Sequence, residues 1–393
     1  MATKTAERVP ERETEKRAIV PYLLVLASAV LCYAALGLVL RALPGYVNDT
    51  LHGGGVGVGL AVGAPALTGA ALRPIGGRLA DRHTSKPIMV IGSLIMTAGT
   101  FLALVTSLGA LIASRLIVGA GEALMMGAGV RWLLQLAGQN RRGQALGHIG
   151  LANYAGLAVG PVLAELLGFS KESTALWLVA AGLPIAGAAL AASITQDRVA
   201  PTPAHEALPT ARLFRLTLRP GIGLLLVNVG YVALLAFGAT VVTGHHLHLA
   251  ALVIPIFGIG VIVSRTALAR VPDKLGGRRT LLAAAATEAA GLIVLSFASS
   301  TGLAVVALVV LAIGQGLAVP SLGLLALQGV PPGAQGAAAG LFFAYFDAGV
   351  GLGGPAVGLA AGAIDAPAAL IFAGVAVFLA IPAALAAAPH RAR

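Results

Sequence analysis

Long apolar runs separated by short polar segments make up almost the whole chain. Twelve of these runs reach the length of roughly 20 residues that an α-helix needs to cross a bilayer. The connections between them are short except for residues 196–218, a segment rich in proline and arginine. The pattern predicts an all-α polytopic membrane protein with transmembrane helices over 19–44, 55–79, 88–107, 109–137, 144–167, 175–195, 219–243, 250–270, 281–299, 302–329, 336–363 and 367–388.

The composition excludes a soluble globular domain of this length. The 393 residues are 58% hydrophobic and 10% charged, with a mean hydropathy of +0.92, whereas soluble domains carry about 25% charged residues. The one cysteine, Cys32, lies in an apolar run, so an internal disulfide is excluded. Residues 1–18 carry charges of both signs without a signal-peptide pattern, and we expect them to form a disordered cytoplasmic tail.

The net charge of +11 has a topological explanation. In a soluble protein it would suggest a nucleic-acid partner. With the amino terminus placed in the cytoplasm, however, 20 of the 26 Lys and Arg residues fall on cytoplasmic segments, five fall within spans and only Lys171 falls outside. This positive-inside bias predicts that both termini are cytoplasmic, in a plasma (inner) membrane protein without a nucleic-acid partner.

Two charged segments with the same spacing indicate an internal duplication. An aspartate follows an arginine by eight positions in Arg73–Asp81 and again, 192 residues later, in Arg265–Asp273. Two parallel six-helix halves related by an axis along the membrane normal follow from this repeat. The predicted organisation is a tail over 1–18, a first bundle over 19–195, a cytoplasmic linker over 196–218, a second bundle over 219–388 and a tail over 389–393.

Four short motifs, in order along the chain, resemble those of the major facilitator superfamily. The loop motif G-x-x-x-D-R-x-G-x-K is matched after the second span and in part after the eighth. Arg115 with Gly119 and Gly121 resembles the fourth-span signature, and the fifth span resembles the signature of proton-driven exporters. Thr84 and Ala269 depart from the loop motif, where the family has glycine. The loop residues are Gly77, Asp81, Arg82, Lys86, Asp273, Lys274, Arg278 and Arg279.

The likeness is greatest to the twelve-span bacterial drug:proton antiporters and the arabinose efflux permease-like group. It implies a fold of two pseudo-symmetric six-helix bundles that work by alternating access, with a proton gradient as energy source and no cofactor. We expect a monomer. At the inner mouth, we expect Asp81 to hold Arg82, Lys86 and Arg131 of the fourth span as a moving latch, and the second copy to act as a structural clamp.

Glycines recur near every fourth position in the fifth and eleventh spans, on one helix face. Without side chains they let helices approach closely, which lipid does not otherwise favour. Packing alone is one interpretation; the other is that each Gly-Pro pair lets its helix bend as a cavity closes. The residues are Gly147, Gly156, Gly160, Pro161, Gly340, Gly349, Gly354 and Pro355.

Acids within the spans are the candidates for proton coupling. Each buried charge costs roughly 2.5–3.5 kcal/mol at the centre of a bilayer, so it usually faces a partner or a cavity. Glu122 and Asp347 lie near the middle of spans that line the cavity in the resembled fold. We expect Glu122 to be the first and Asp347 the second proton carrier; a structural ion pair is the alternative. Arg115, seven positions before Glu122, is expected to bias its charge, or to snorkel.

Two arginine–acid pairs are predicted from the neighbours that the resembled fold gives each span. Arg73 is expected to pair with Asp347 across the two halves as a gate, and Arg265 with Glu288 within one half as a staple. The resemblance implies these neighbours; the spacing does not. Arg41, near the outer end of the first span, is expected to contact phospholipid headgroups or an anionic group of the substrate.

Aromatic rings interspersed with amides suit an amphipathic organic molecule. His245, His246 and His248 lack nearby carboxylates or cysteines, so we predict no metal site. No nucleotide-binding loop or catalytic motif occurs, so we predict neither ATP-driven transport nor enzymatic activity. The predicted cavity residues are Tyr33, Arg41, Asn153, Tyr154, Asn228, Tyr231, Gln315, Phe342, Tyr345 and Phe346.

The sequence therefore predicts a secondary active transporter, embedded in the lipid bilayer, that exports a small amphipathic organic solute or drug in exchange for protons. Two alternatives stay open. One is a proton-coupled importer of a small organic acid, with Arg41 and Arg73 as substrate anchors. The other is a non-transporting membrane sensor, which the lack of a sizeable soluble domain disfavours.

Overall fold

The structure is a computed structural model, and it describes residues 11–82, 84–137, 142–169, 174–195, 209–328, 330–331 and 335–385. All secondary structure in this part of the chain is helical. α1 continues into a π-helical turn, Tyr46–Thr50, and a 3-10 turn, Ala250–Leu252, precedes α8. The helices are α1 (Glu11–Gly45), α2 (Gly54–Arg82), α3 (Ser85–Leu102), α4 (Leu108–Ala137), α5 (Arg142–Leu166), α6 (Thr174–Ser193), α7 (Thr210–Gly244), α8 (Val253–Ala267), α9 (Val271–Leu275), α10 (Gly277–Ser296), α11 (Thr301–Leu327), α12 (Gln335–Ala363) and α13 (Ala366–Leu385).

Every predicted span overlaps one of these helices, and only the five-residue α9 has no counterpart among the spans. Among the described residues, ten helices, α1 to α8, α10 and α11, are long and apolar enough to cross a membrane, and α13 carries a shorter apolar stretch, Ala366–Pro382. The protein is therefore a multi-pass membrane protein.

Two helices extend into segments that the sequence predicted to be irregular. α1 begins at Glu11 and so includes residues 11–18 of the segment predicted to be a disordered tail; residues 1–10 lie outside the described part. Glu, Lys, Arg and Ala, the main residues of this segment, are strong helix formers. α7 begins at Thr210, directly after Pro209, and takes up the end of the predicted linker. Proline suits this position because its fixed φ favours the start of a helix.

The two copies of the charged segment differ in backbone conformation. In the first copy, Thr84 separates α2 from α3 with φ −67° and ψ 143°, an extended conformation open to any residue. In the second, Gly276 separates α9 from α10 with φ +82°, which favours glycine. Thr84 and Gly276 are 192 residues apart and so pseudo-equivalent. The first copy lacks the family's glycine because its backbone does not need one.

Most helix contacts occur within each half of the chain. In the first half, α1 packs on α5 and α6, and α3 on α4 and α6; in the second, α10 packs on α11 and α13, and α7 on α12 and α13. Between the halves, α2 packs extensively on α12, and α5 packs on α8.

The α2–α12 contact is a glycine seam. A Cβ built on Gly55 would stand 2.7 Å from the carbonyl oxygen of Gly358, and one on Gly63 would stand 3.0 Å from that of Val350. Gly59 and Gly354 lie so close that neither has room for a side chain. Positions rise along α2 as they fall along α12, so the helices are antiparallel. The seam belongs to the half of the membrane that the predicted topology places outside.

Candidate functional site

An arginine shared between two acids lies at the inner end of the glycine seam. Arg73 of α2 donates from Nη2 to Asp347 Oδ1 of α12 at 2.9 Å, and its Nε also contacts Asp347 Oδ2. The same Nη2 lies 3.3 Å from Glu122 Oε1 and 3.5 Å from Oε2, on α4. The structure thus brings together the predicted pair, Arg73 and Asp347. It adds Glu122, the other predicted proton carrier, to the same cluster.

The cluster is enclosed on several sides. Asp347 is 2% and Glu122 7% exposed. Tyr33 of α1 is also buried and donates its hydroxyl to Glu122 Oε1 at 2.6 Å. On α2, a Cβ at Gly69 would stand 3.2 Å from Asp347 Oδ2, so the small residue makes room for the carboxylate. Tyr33, predicted to line a cavity, is a hydrogen-bond partner of Glu122, the predicted first proton carrier.

The charges in this cluster do not balance. One guanidinium faces two carboxylates, and burial makes an excess charge expensive. Two carboxylates that share a site resist being ionised together. A single proton on either acid would leave the cluster neutral. Asp347 accepts a hydrogen bond from Arg73 Nη2 and has a second contact with Nε, whereas Glu122 makes only the longer contacts, so Arg73 holds Glu122 less firmly.

Arg115 is buried and hydrogen-bonded to main chain. Its Nε donates to the carbonyl oxygen of Ala61 at 3.0 Å and so ties α4 to α2. Among the described residues, its recorded hydrogen bond is therefore with backbone and not with Glu122. The predicted role of Arg115 in proton coupling stays a prediction.

The predicted pair of Arg265 and Glu288 is wrong. Glu288 of α10 is fully buried, and the Gln315 amide of α11 donates to its two oxygens at 3.0 and 3.2 Å once its nitrogen is oriented toward this acceptor. Arg265 of α8 extends the other way, over the ring of Tyr154 in α5. The two side chains diverge because α8 presents Arg265 to α5, whereas α10 presents Glu288 to α11.

Aromatic rings from both halves meet near Arg265. Tyr231 of α7 lies 5.8 Å from Phe257 of α8, 6.0 Å from Phe346 of α12 and 6.3 Å from Tyr154, between ring centroids. Tyr154 and Phe257 are 6.3 Å apart. The structure brings three predicted cavity residues together here and adds Phe257, which the sequence reasoning missed.

The other predicted cavity residues are dispersed. Arg41 pairs at 3.6 Å with Glu165 of α5, with side chains 37% and 63% exposed. The fully buried Asn228 of α7 donates to the carbonyl of Leu224 at 2.8 Å and packs against Gly349 of α12. The ring centroids of Tyr345 and Phe214 are 6.1 Å apart, and those of Phe342 and Phe343 are 5.8 Å apart. Gln315 binds Glu288, and Asn153 is half-buried in α5.

Four of the predicted packing glycines do bring helices together. A Cβ on Gly156 would stand 2.6 Å from the carbonyl oxygen of Val30, and Gly160 is in still closer contact with α1. Gly349 approaches α7 and Gly354 approaches α2 in the same way. Pro161 and Pro355 lie within continuous helices, α5 and α12.

Gly147 and Gly340 do not pack, so the prediction is wrong for both. Each is exposed, and a Cβ on either would meet no atom within 4 Å. They lie toward the amino ends of α5 and α12, beyond the reach of the close contacts that Gly156 and Gly354 make. The close glycine contacts of α5 and α12 thus lie in the carboxyl-terminal parts of the two helices.

The latch is only partly described. Lys86 donates to the carbonyl oxygen of Ile194 at 2.9 Å, and Arg131 is half-buried in α4. Lys274, Arg278 and Arg279 are exposed in the second copy. The surroundings of Gly77 and the side chains of Asp81, Arg82 and Asp273 lie outside the described part, so the latch stays a prediction.

Sequence reasoning missed the glycines of α2. Gly55, Gly59 and Gly63 recur at every fourth position, the spacing of a close helix contact, and so the signal was present. The partnership of Tyr33 with Glu122 left no such signal, because 89 residues separate them.

Comparison with known proteins places the chain in a family. A sequence model of the Major Facilitator Superfamily matches residues 25–354 and, in a second match, residues 244–393. An uncharacterized MFS-type transporter of Salmonella typhimurium is 30% identical over 343 residues, which cover 85% of this chain and 87% of that protein.

Solved structures share the fold. A crystal structure of a mutant of the nucleoside transporter NupG superposes with a TM-score of 0.79 at 18% identity, covering 94% of this chain and 100% of that one. The human organic anion transporter MFSD10 superposes with a TM-score of 0.69 at 17% identity, covering 94% and 99%. At such identities the likeness concerns the fold alone. The sequence matches show the family: the chain belongs to the Major Facilitator Superfamily and is a multi-pass membrane transporter.

Proposed function

We propose that the protein is a proton-coupled secondary transporter that exports a small amphipathic organic solute in exchange for protons. In this proposal the two six-helix halves, 19–195 and 219–388, rock about a central site, with both termini in the cytoplasm. The working unit is a monomer without a cofactor. The observation that carries the proposal is the sharing of Arg73 between Glu122 of the first half and Asp347 of the second.

The shared arginine supports coupling because its partners lie on different halves. While Arg73 holds Asp347, α2 and α12 are tied together at the inner end of their seam. Separating them requires another partner for the guanidinium, and an ionised Glu122 in the same half is already within 3.3 Å. Protonation of Glu122 withdraws that partner. Proton binding thereby changes the free energy of moving the halves apart, which is what coupling requires.

The interaction energy between Arg73 and Glu122 is large enough to couple a conformational change to a proton gradient. Two unit charges 3.3 Å apart interact by about 5 kcal/mol at an effective dielectric constant of about 20. A pH difference of two units supplies about 2.7 kcal/mol per proton. One proton at Glu122 is therefore enough to bias the conformational equilibrium by the full driving force.

The test uses purified protein in proteoliposomes with a pH-sensitive dye inside. With an imposed pH gradient, amphipathic solutes of either charge are added and both solute and proton movement are followed. We expect solute movement up its gradient in exchange for protons, and its loss in Glu122→Gln. Glu165→Gln is the matched control, since it removes an exposed acid from the same half. Solute movement that ignores the pH gradient, or an unaffected Glu122→Gln variant, contradicts the proposal.

A second candidate is proton-coupled uptake of an organic acid. The anchors first predicted for it are occupied, since Arg41 pairs with Glu165 and Arg73 with two acids. Arg265 favours this candidate instead, because no acid pairs with it among the described residues. Solute and proton moving in the same direction in the assay above would support uptake over export.

A further inference from the structure

Arg265 is a cation that has no carboxylate partner among the described residues. It lies in the last turn of α8, half-buried, with its guanidinium carbon 5.0 Å from the centroid of the Tyr154 ring. Its Nε is buried and has no hydrogen-bond partner within the described ranges. In the described part of the chain, neither a carboxylate nor a carbonyl oxygen accepts a hydrogen bond from it. The arrangement leaves the five N–H donors of a guanidinium unmatched.

Arg41, Arg73 and Arg115, unlike Arg265, each have an oxygen partner for the guanidinium, although the Nε atoms of Arg41 and Arg73 also lack a hydrogen bond. Arg41 faces Glu165, Arg73 faces two carboxylates, and Arg115 donates to the carbonyl oxygen of Ala61. Burial of an unpaired charge is unfavourable, and contact with an aromatic face recovers only part of that cost. Arg265 is therefore incomplete without an anionic group.

The space beside the guanidinium is made by a small residue. A Cβ on Gly150 of α5 would meet Arg265 Nη1 at 3.2 Å and no other atom within 4 Å. Glycine at this position leaves Nη1 open on the side that faces α5. An oxygen ligand thus has both a donor and room to approach it.

An apolar platform for an organic body lies next to this donor. The rings of Tyr154, Tyr231, Phe257 and Phe346 come from four helices of both halves, with centroids 5.8–6.3 Å apart. Tyr154, Tyr231 and Phe257 are buried in this conformation, so their faces become available to a further flat group when the helices of the two halves move apart. The guanidinium donor suits the charged group of an amphipathic anion, and the neighbouring rings suit its apolar body.

Helix α5 connects this platform with the proton site. Its Tyr154 lies under Arg265, and the helix packs on α1, which carries Tyr33, the hydrogen-bond donor to Glu122. A ligand that moves Arg265 and Tyr154 therefore acts on a helix that packs against the coupling cluster.

We infer that Arg265 anchors the anionic group of the transported solute, and that the solute is an organic anion, a carboxylate with an aromatic or similarly flat apolar body. The inference rests on the proposed transport function and holds for export and for uptake. The apolar body lies against Tyr154, Tyr231 and Phe346, and the carboxylate accepts hydrogen bonds from the Arg265 guanidinium.

Three probes with one aromatic body and different charge test the inference. Benzoate, benzamide and benzyltrimethylammonium, each with its naphthyl counterpart, are added to proteoliposomes, and proton movement and radiolabelled probe flux are measured. We expect the carboxylates to drive proton-coupled flux, and Arg265→Gln to reduce their apparent affinity by about tenfold or more, the loss expected for a charge-assisted hydrogen bond. Arg265→Lys should retain part of the affinity, and Arg215→Gln, which removes an exposed arginine of α7 as the matched control, should retain all of it.

The competing explanation is that Arg265 only staples α8 to α5. In that case Arg265→Gln lowers the melting temperature of the purified protein and affects carboxylates and amides alike. Tyr154→Phe, which keeps the ring, would then behave as wild type in every assay.

The outcomes separate this inference from the proposed function. If the trimethylammonium probes drive proton movement and the carboxylates do not, the organic-anion assignment is overturned and proton-coupled transport stands. If no probe of any charge moves protons, both fail. If carboxylates are transported equally well by wild type and Arg265→Gln, the anchor is wrong even though the substrate class is right.

Discussion

The glycine seam gives the sharpest test of how the two halves separate. In Gly358→Ala, the added Cβ would stand 2.6 Å from the carbonyl oxygen of Gly55 and 3.1 Å from Val56 Cα. The first contact is about 0.8 Å shorter than the 3.4 Å at which ordinary contact begins. Both neighbours are backbone atoms of a helix, which cannot rotate away as a side chain can. The helices must move apart or the closed seam must be strained.

The free-energy cost of Gly358→Ala can be estimated from overpacked protein interiors. Extra methyl groups in a well-packed site destabilise by about 1–3 kcal/mol, which corresponds to a shift of about 5–150-fold between two conformations. Because the contact exists only while α2 and α12 are together, the strain falls on the state in which this side is closed. We therefore expect Gly358→Ala to raise the population in which this side is open.

Distances between spin labels measure that population. Labels at Leu166→Cys of α5 and Ile364→Cys after α12, both exposed, report on the two halves without touching the seam. The native Cys32, which is buried, is replaced by alanine in this background. We expect a longer label-to-label distance to gain population in Gly358→Ala.

Gly362→Ala is the matched control. It lies one turn further along α12, and its added Cβ meets no atom within 4 Å. It shares any gain in helix propensity with Gly358→Ala but not the clash. An unchanged distance distribution in Gly358→Ala, or the same change in both variants, would refute the reasoning.

Three further changes test other parts of the molecule. Asp81→Asn should reduce transport at least tenfold at unchanged melting temperature, and Asp273→Asn should be far milder; equal damage to transport rates in both variants would remove the predicted asymmetry of the latch. Glu288→Gln should stay folded and active, whereas Glu288→Leu should lose about 1–3 kcal/mol of stability because it leaves the buried Gln315 amide without a hydrogen-bond partner. Equal melting temperatures for the two variants would contradict the hydrogen bonds between Gln315 and Glu288. Tyr33→Phe should weaken proton coupling by removing the hydroxyl that binds Glu122, measured as a lower ratio of protons to solute, and an unchanged ratio would exclude that role.

The helices and one cross-half pair were predictable because they depend on properties that sequence records directly. The length of each apolar run fixes where a helix can span, and all twelve spans overlap long helices. The Arg73–Asp347 contact followed from the neighbours that the family resemblance assigned to these helices. The glycine spacing in α2 would have located the seam beside them.

The errors come from helix neighbours and contact lengths that the sequence does not record. Arg265 and Glu288 were expected to meet because α8 and α10 were expected to be neighbours, but α8 and α10 each pack on α11 and not on each other. Arg265 therefore contacts α5, and Glu288 contacts α11. The same limit explains Gly147 and Gly340: a glycine's spacing gives the face it lies on, but not how far the neighbouring helix reaches.

The shared arginine also has a consequence for how the protein is made. Asp347 follows Arg73 by 274 residues, whereas Glu122 follows it by 49. At about 5–20 residues per second, translation supplies Glu122 within about 2–10 s but Asp347 only after about 14–55 s. During that interval Arg73, which alone costs roughly 2.5–3.5 kcal/mol at the centre of a bilayer, would already have a partner from its own half. Glu122 would thus act as a temporary counterion during membrane insertion, and Glu122→Gln should leave the nascent first half more exposed to membrane proteases than Asp347→Asn does.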